Sequence, residues 1–170
     1  MSLLHPQGDD RRPASEIRHV PAGQGLTKWV AGDAYTLKAQ AADTGGALSV
    51  FEAVVPPHGG PPMHSHRSED EAFYILSGEL ELHAGDRAFT AAAGDFVFVP
   101  RGDRHTFTNT GDDDATMLFL YTPAGFERFF LEAGDDPRPG ERPEPWSLER
   151  IMQVAPLSED VGMDVFPEVR

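Results

Sequence analysis

The chain has 170 residues, a formal charge of −14 at pH 7, 25% charged and 39% apolar residues, and no cysteine. That length supports one domain with a sizeable core, and the missing cysteines exclude disulfide frameworks and thiolate metal sites. Fourteen Lys and Arg against 28 Asp and Glu argue against nonspecific binding to nucleic acid or anionic lipid. The sequence holds no apolar run of about 18 residues, as a spanning helix requires. Its start, MSLLHPQGDDRRPASE, lacks the basic-then-apolar layout of a secretion signal. A cytoplasmic place is therefore the expectation.

Residues 1–15 are polar with Pro and Gly, and read as a flexible arm. Strand-like segments follow: LTKWV, YTLKA and ALSVFEAVV, then AFYIL, ELELH, RAFTA, DFVFV, RHTFT and TMLFLY. Turn signals such as Ser77-Gly78, Ala84-Gly85 and Gly94-Asp95 separate them. Short strands at close, regular spacing predict an all-β sandwich or barrel over residues 16–122. Alternation is clearest in ELELH, where Leu80 and Leu82 share one face and Glu79 and Glu81 the other.

After Thr122 the pattern changes. AGFERFFLEAG sets Phe126, Phe129 and Phe130 at i, i+3, i+4, a short helix closed by Gly134. A Pro- and charge-rich linker leads to WSLERIMQVA, a second short helix with Ser147 as N-cap. Residues 123–170 are thus expected to form a helical extension packed on the β domain, its three phenylalanines facing the barrel rather than a substrate.

The chemistry concentrates in PPHGGPPMHSHRSEDEAFYILSGELEL. Residues i and i+2 of a strand share a face, so His64 and His66, if extended, present two imidazoles side by side, a pair suited to a first-row metal. Alone, the pair reads equally as two solvated histidines on a loop. Ser68-x-x-Glu71 has capping-box spacing, but the segment behind it is too short and too rich in aromatic and branched residues for a helix. Downstream, GDFVFVPRGDRHTFTN ends one strand at Pro100 and starts the next at His105. If these strands neighbour the first group, His105 reaches the histidine pair. His5, His19 and His83 have no partners at useful spacing, while His58 lies in the Pro/Gly loop and is a candidate at the cavity mouth. The acidic turn Asp112-Asp113-Asp114 lacks the glycine of an EF-type calcium loop.

His64-x-His66-x4-Glu71-x6-Gly78 resembles the first motif of the cupin superfamily, lacking only the glycine expected where His58 stands. Gly94-x5-Pro100-x-Gly102-x2-His105-x3-Asn109 is similar to the second motif at every position. The resemblance implies a double-stranded β-helix (jelly-roll) barrel of two packed sheets, with one divalent first-row metal held by His64, His66, Glu71 and His105. The metal is Fe, Mn, Ni, Co, Cu or Zn, and the ligand set does not choose among them. Further similarity, from GDAYTLKA to TPAGFERFF, is to small single-domain proteins grouped with quercetin 2,3-dioxygenases. A dioxygenase-like enzyme acting on an enolic or aromatic, flavonol-like molecule is therefore expected, with Glu71 as base and Phe73, Ile75, Phe107 and His58 near the substrate. The rivals are non-redox isomerase, lyase or hydrolase chemistry, and small-molecule binding without catalysis. A homodimer is the expected assembly.

Overall fold

A computed structural model describes residues 17–166, so the arm expected at residues 1–15 lies outside the described residues. Eleven strands and three helices are present among them. In chain order these are β1 (Leu26–Val30), β2 (Asp33–Ala39), α1 (Ala41–Thr44), β3 (Ser49–Val55), β4 (His64–His66), β5 (Asp70–Ser77) and β6 (Glu79–Ala84). Then follow β7 (Arg87–Ala92), β8 (Phe96–Val99), β9 (His105–Thr108), β10 (Ala115–Thr122), α2 (Glu127–Ala133), α3 (Leu148–Asp160) and β11 (Met163–Val165).

The strands form two antiparallel sheets, one in the order β1-β2-β3-β10-β5-β8 and the other β11-β4-β9-β6-β7. This is the expected double-stranded β-helix of two packed sheets. Hydrogen-bonded pairing stays within each sheet among the described residues, so the two sheets pack face to face with free edges. Alternation decides which faces meet. β3 and β10 bury every second residue, and Phe51, Ala53, Val55, Met117 and Phe119 turn inward. From the other sheet, Leu80, Leu82 and Phe107 answer them.

The segment before β4 approaches β9 so closely that a Cβ at Gly60 would fall 2.0 Å from the Phe107 carbonyl oxygen. With φ of +134° there, only glycine serves. Asn109 locks the same loop: its buried side-chain amide donates to the Val55 and Asp113 carbonyls, both at 2.8 Å, and its Oδ1 accepts from Gly111 N–H at 2.9 Å. His58 adopts φ of +65°, which explains why the resemblance expects glycine at that position.

The helical extension is present, with one addition. α2 lays Phe129 and Phe130 into the core, and Phe130 meets Tyr35 and Phe51 at centroid separations of 4.7 Å. Ser147 caps α3 as expected, accepting from Arg150 N–H at 3.2 Å. α3 continues through Pro156, where the sequence pattern stops at Ala155, because Val154, Leu157 and Val161 pack against the core. Beyond it the chain returns as β11 and adds an edge strand beside the two histidines, Met163 opposite His66 and Val165 opposite His64.

Candidate metal centre

β4 is only three residues long, and its two neighbours set its register. β9 pairs His64 with His105, while β11 covers the other edge. Gly102 N–H donates to the His66 carbonyl at 2.7 Å and fastens the turn that delivers His105. Glu71 comes from the opposite sheet, on β5, between Tyr121 of β10 and Val99 of β8. Two sheets therefore bring His64, His66, Glu71 and His105 together. All four are buried, and one ligand atom from each lies within 4.8 Å of all the others.

Hydrogen bonds orient the rings. His64 Nδ1 lies 2.9 Å from the Pro62 carbonyl oxygen and His105 Nδ1 lies 3.0 Å from that of Asp103. Each Nδ1 donates to its carbonyl, which leaves both Nε2 atoms facing the cluster, the arrangement that fixes the tautomer of a ligating imidazole. His105 Nε2 lies 2.7 Å from Glu71 Oε2, and His66 Nε2 lies 3.2 Å from the same oxygen. Neither ring nitrogen of His66 makes a well-aligned hydrogen bond, although both are buried. A buried imidazole left in that state is costly unless something else engages it.

The charges follow from this packing. Burial, reinforced by the His105 charge, pushes His64 down to about 3, so its ring is neutral. Burial alone would raise the Glu71 carboxyl, but hydrogen bonding from His105 and His66 and their charges outweigh it and hold it well below the ordinary carboxylate range. For His105, burial is likewise overcome by the Glu71 hydrogen bond and charge, and the imidazole is raised. Tyr121 stays protonated far above its usual value, first by burial and then by the charge of Glu71.

Donors bound at about 2.0–2.2 Å to one ion lie about 3–4.4 Å apart, close to the spread seen here. Three imidazoles, one of them His66 without a well-aligned hydrogen bond, and one carboxylate fit a divalent first-row transition metal, so the cluster is able to bind one. The neighbouring carboxylates differ. Glu69 is buried, and burial raises it. Asp70 turns away to Arg101, accepting at 3.0 and 2.9 Å.

Beside the cluster lies a cavity of about 230 Å³. His64 and Glu71 line one part of it, Tyr35, Met117, Phe119 and Tyr121 form the sheet wall, and Phe126, Phe129 and Phe130 another. Trp146, Ile151, Val154, Met163 and Val165, all from the C-terminal extension, complete it. No Lys or Arg is among the lining residues. Of the residues the sequence places near a substrate, Phe107 lines the cavity. Phe73 and Ile75 are core residues behind the cluster, and His58 is exposed on its loop, so these three lie outside the lining. The phenylalanines of α2 both pack on the β domain and line the cavity. His83 is partly exposed and meets Glu81 at 2.7 Å.

Sequence reasoning missed Asp33, Tyr35, Tyr121 and the walls supplied by α3 and β11. Period-2 alternation through Met117, Phe119 and Tyr121 marks the inward face and would have found Tyr121. Asp33 is masked by the turn-like AGDA that contains it.

Residues 51–121 match the family model described as cupin domain. That span, a little under half of the chain, supports the cupin superfamily, and both motifs fall within it. An oxalate-binding protein of Thermotoga maritima is 36% identical over 64 residues, 38% of this chain and 53% of the relative. Quercetin 2,3-dioxygenase of Bacillus subtilis is 27% identical over 108 residues, 61% of this chain and 32% of the enzyme. The crystal structure of a protein described as a predicted oxalate decarboxylase, from Thermotoga maritima, superposes with a TM-score of 0.58 at 23% identity. That match covers 62% of this chain and 98% of the other, and shows the shared fold. The chain spans about half the length of the first two curated relatives it matches. No helix among the described residues is long and apolar enough to cross a membrane.

Proposed function

We propose that this chain is a metal-dependent enzyme acting by dioxygenase-like chemistry on a small organic molecule with an enolic or aromatic body. One observation carries the reading: a buried cluster of three histidines and a glutamate borders an apolar, aromatic-walled cavity through His64 and Glu71. His64, His66, Glu71 and His105 hold the ion. A first-row transition metal there supplies Lewis acidity and, if redox-active, a route for electrons to dioxygen. The chain's own residues do the rest. Apolar walls exclude water and favour a ring-bearing ligand over a small polar one. Glu71, held ionised, accepts the proton of an acidic substrate hydroxyl, while Tyr121 stays protonated beside it.

Two relatives carry names that refer to oxalate. In this chain the cavity presents Asp33 and Glu71 and no Lys or Arg, a poor match for a small dianion. The reading includes a homodimer and a cytoplasmic place. It is tested by loading the protein with each candidate metal and following oxygen uptake with flavonols and other enolisable compounds. Uptake that requires a redox-active metal supports it. Turnover without oxygen uptake points to non-redox chemistry, and tight binding without turnover to a carrier; either replaces it.

A further inference from the structure

Asp33 is the one carboxyl lining the cavity that the metal cluster does not use. It opens β2 with its side chain inward, on the same face as Tyr35, and is 1% exposed. Its Oδ2 accepts from the Tyr35 hydroxyl at 3.1 Å. Its Oδ1 is buried and makes no well-aligned hydrogen bond, with the Gly60 backbone as its nearby polar neighbour. The neighbouring loop is fitted around that oxygen: a Cβ at Gly59 would lie 2.5 Å from Asp33 Oδ1, so any larger residue would displace the carboxyl. Around it the cavity is apolar, with Phe107, Phe119 and Phe130 among its walls. A buried carboxyl with one oxygen poorly paired is expensive to keep, and it gains most when a ligand brings a donor to it.

We propose that Asp33 is a specificity-determining residue, whose carboxyl accepts a hydrogen bond from a hydroxyl on the organic molecule held in the cavity. The inference rests on the reading of this cavity as a small-molecule site and defines the ligand further. Such a ligand carries metal-binding oxygens at one position, an apolar ring in the middle, and a separate hydroxyl that reaches Asp33. Tyr35 is the positioning residue: by donating to Oδ2 it turns the other oxygen free. Burial, which pushes the Asp33 carboxyl up to about 7 against the pull of Tyr35 and Gly60, agrees with a site that accepts a neutral hydroxyl.

The test uses the full chain, once stripped of metal with a chelator and once reloaded, titrated with 4-methylphenol and 4-methylanisole. The two probes differ only in the hydroxyl proton and its replacement by methyl. Trp146, in the cavity wall, reports binding by fluorescence. At pH 8, where the Asp33 carboxyl is ionised, the parent is expected to prefer the phenol by about tenfold or more, the scale of one hydrogen bond to a charged acceptor. Asp33→Leu should bind 4-methylanisole at least as well as the parent and lose the preference. In Asp33→Asn, one oxygen remains for Tyr35 and the amide presents a donor to the cavity, so the preference should fall to near parity there too, even if the leucine variant does not fold. A parent that binds neither probe, or binds both equally, overturns the proposal, as does an Asp33→Asn variant that keeps the tenfold preference. Because the stripped protein is measured separately, failure here leaves the metal reading intact, and a chain that takes up no metal can still show the phenol preference.

Discussion

His105 Nε2 lies 2.7 Å from Glu71 Oε2, and this contact joins the two sheets, since β9 belongs to one and β5 to the other. Residues 34 apart in sequence thus share one buried polar contact at the seam of the sandwich. Truncating either partner leaves the other buried and uncompensated. The cluster is therefore part of what holds the sheets in register as well as the place where the proposed ion binds.

Glu71→Gln keeps the size and one carbonyl oxygen of the side chain but removes its basicity. Metal analysis should show that the variant retains part of its metal through the three histidines, while turnover of an enolisable substrate falls by about 10²–10⁴-fold. Parent-like turnover in a metal-loaded Glu71→Gln protein would assign the base elsewhere.

Asp33 makes stability pH-dependent with a definite sign. Its folded-state value of about 7 lies above the ordinary 3.8, so between those values the folded chain binds more protons than the unfolded one. Stability is lost as pH rises from about 4 to 7 and levels off above, a cost on the order of a few kcal/mol. Urea unfolding at pH 5 and pH 8 should show the parent losing stability relative to Asp33→Asn over that interval. Parallel profiles would contradict the buried-carboxyl account.

Most of the fold was legible because nine strands announce themselves by alternation and turn residues, and because His64, His66, Glu71 and His105 sit at fixed offsets within two motifs. β4 and β11 were not legible as strands. Each is three residues long, too short for a period to show; β4 is held between β11 and β9, and β11 pairs with β4 at the sheet edge. The cavity was half legible. Phe107 follows from its place two residues after His105, whereas the walls given by Trp146, Ile151 and Val165 depend on how a distant extension folds back. The two packed sheets expected by resemblance are present, while the order of strands within each sheet is a tertiary matter that strand periodicity does not encode.

Asn109 holds three backbone groups of the loops around β3 and β9 with its side chain alone. Asn109→Ala should cost about 2–4 kcal/mol in denaturant unfolding, from three lost hydrogen bonds with the Val55 carbonyl left buried. A cost under about 0.5 kcal/mol would show that water replaces the amide.

β8 is an edge strand whose Phe96 and Phe98 are exposed, next to exposed Tyr74 and Leu76 on the neighbouring β5. An exposed apolar edge of this kind suits pairing with a second copy. Light scattering should give a homodimer that Phe96→Asp with Phe98→Asp converts to monomer. A parent that is monomeric across micromolar concentrations would remove this expectation.

The most direct measurement is the transition-metal content of the purified chain set beside that of His105→Ala. Close to one first-row metal ion per chain is expected in the parent, and loss of most of it in the variant, because one of four ligands disappears. A parent that takes up no such ion, or a His105→Ala chain that holds it as tightly as the parent, would contradict the assignment of His64, His66, Glu71 and His105 as a metal centre.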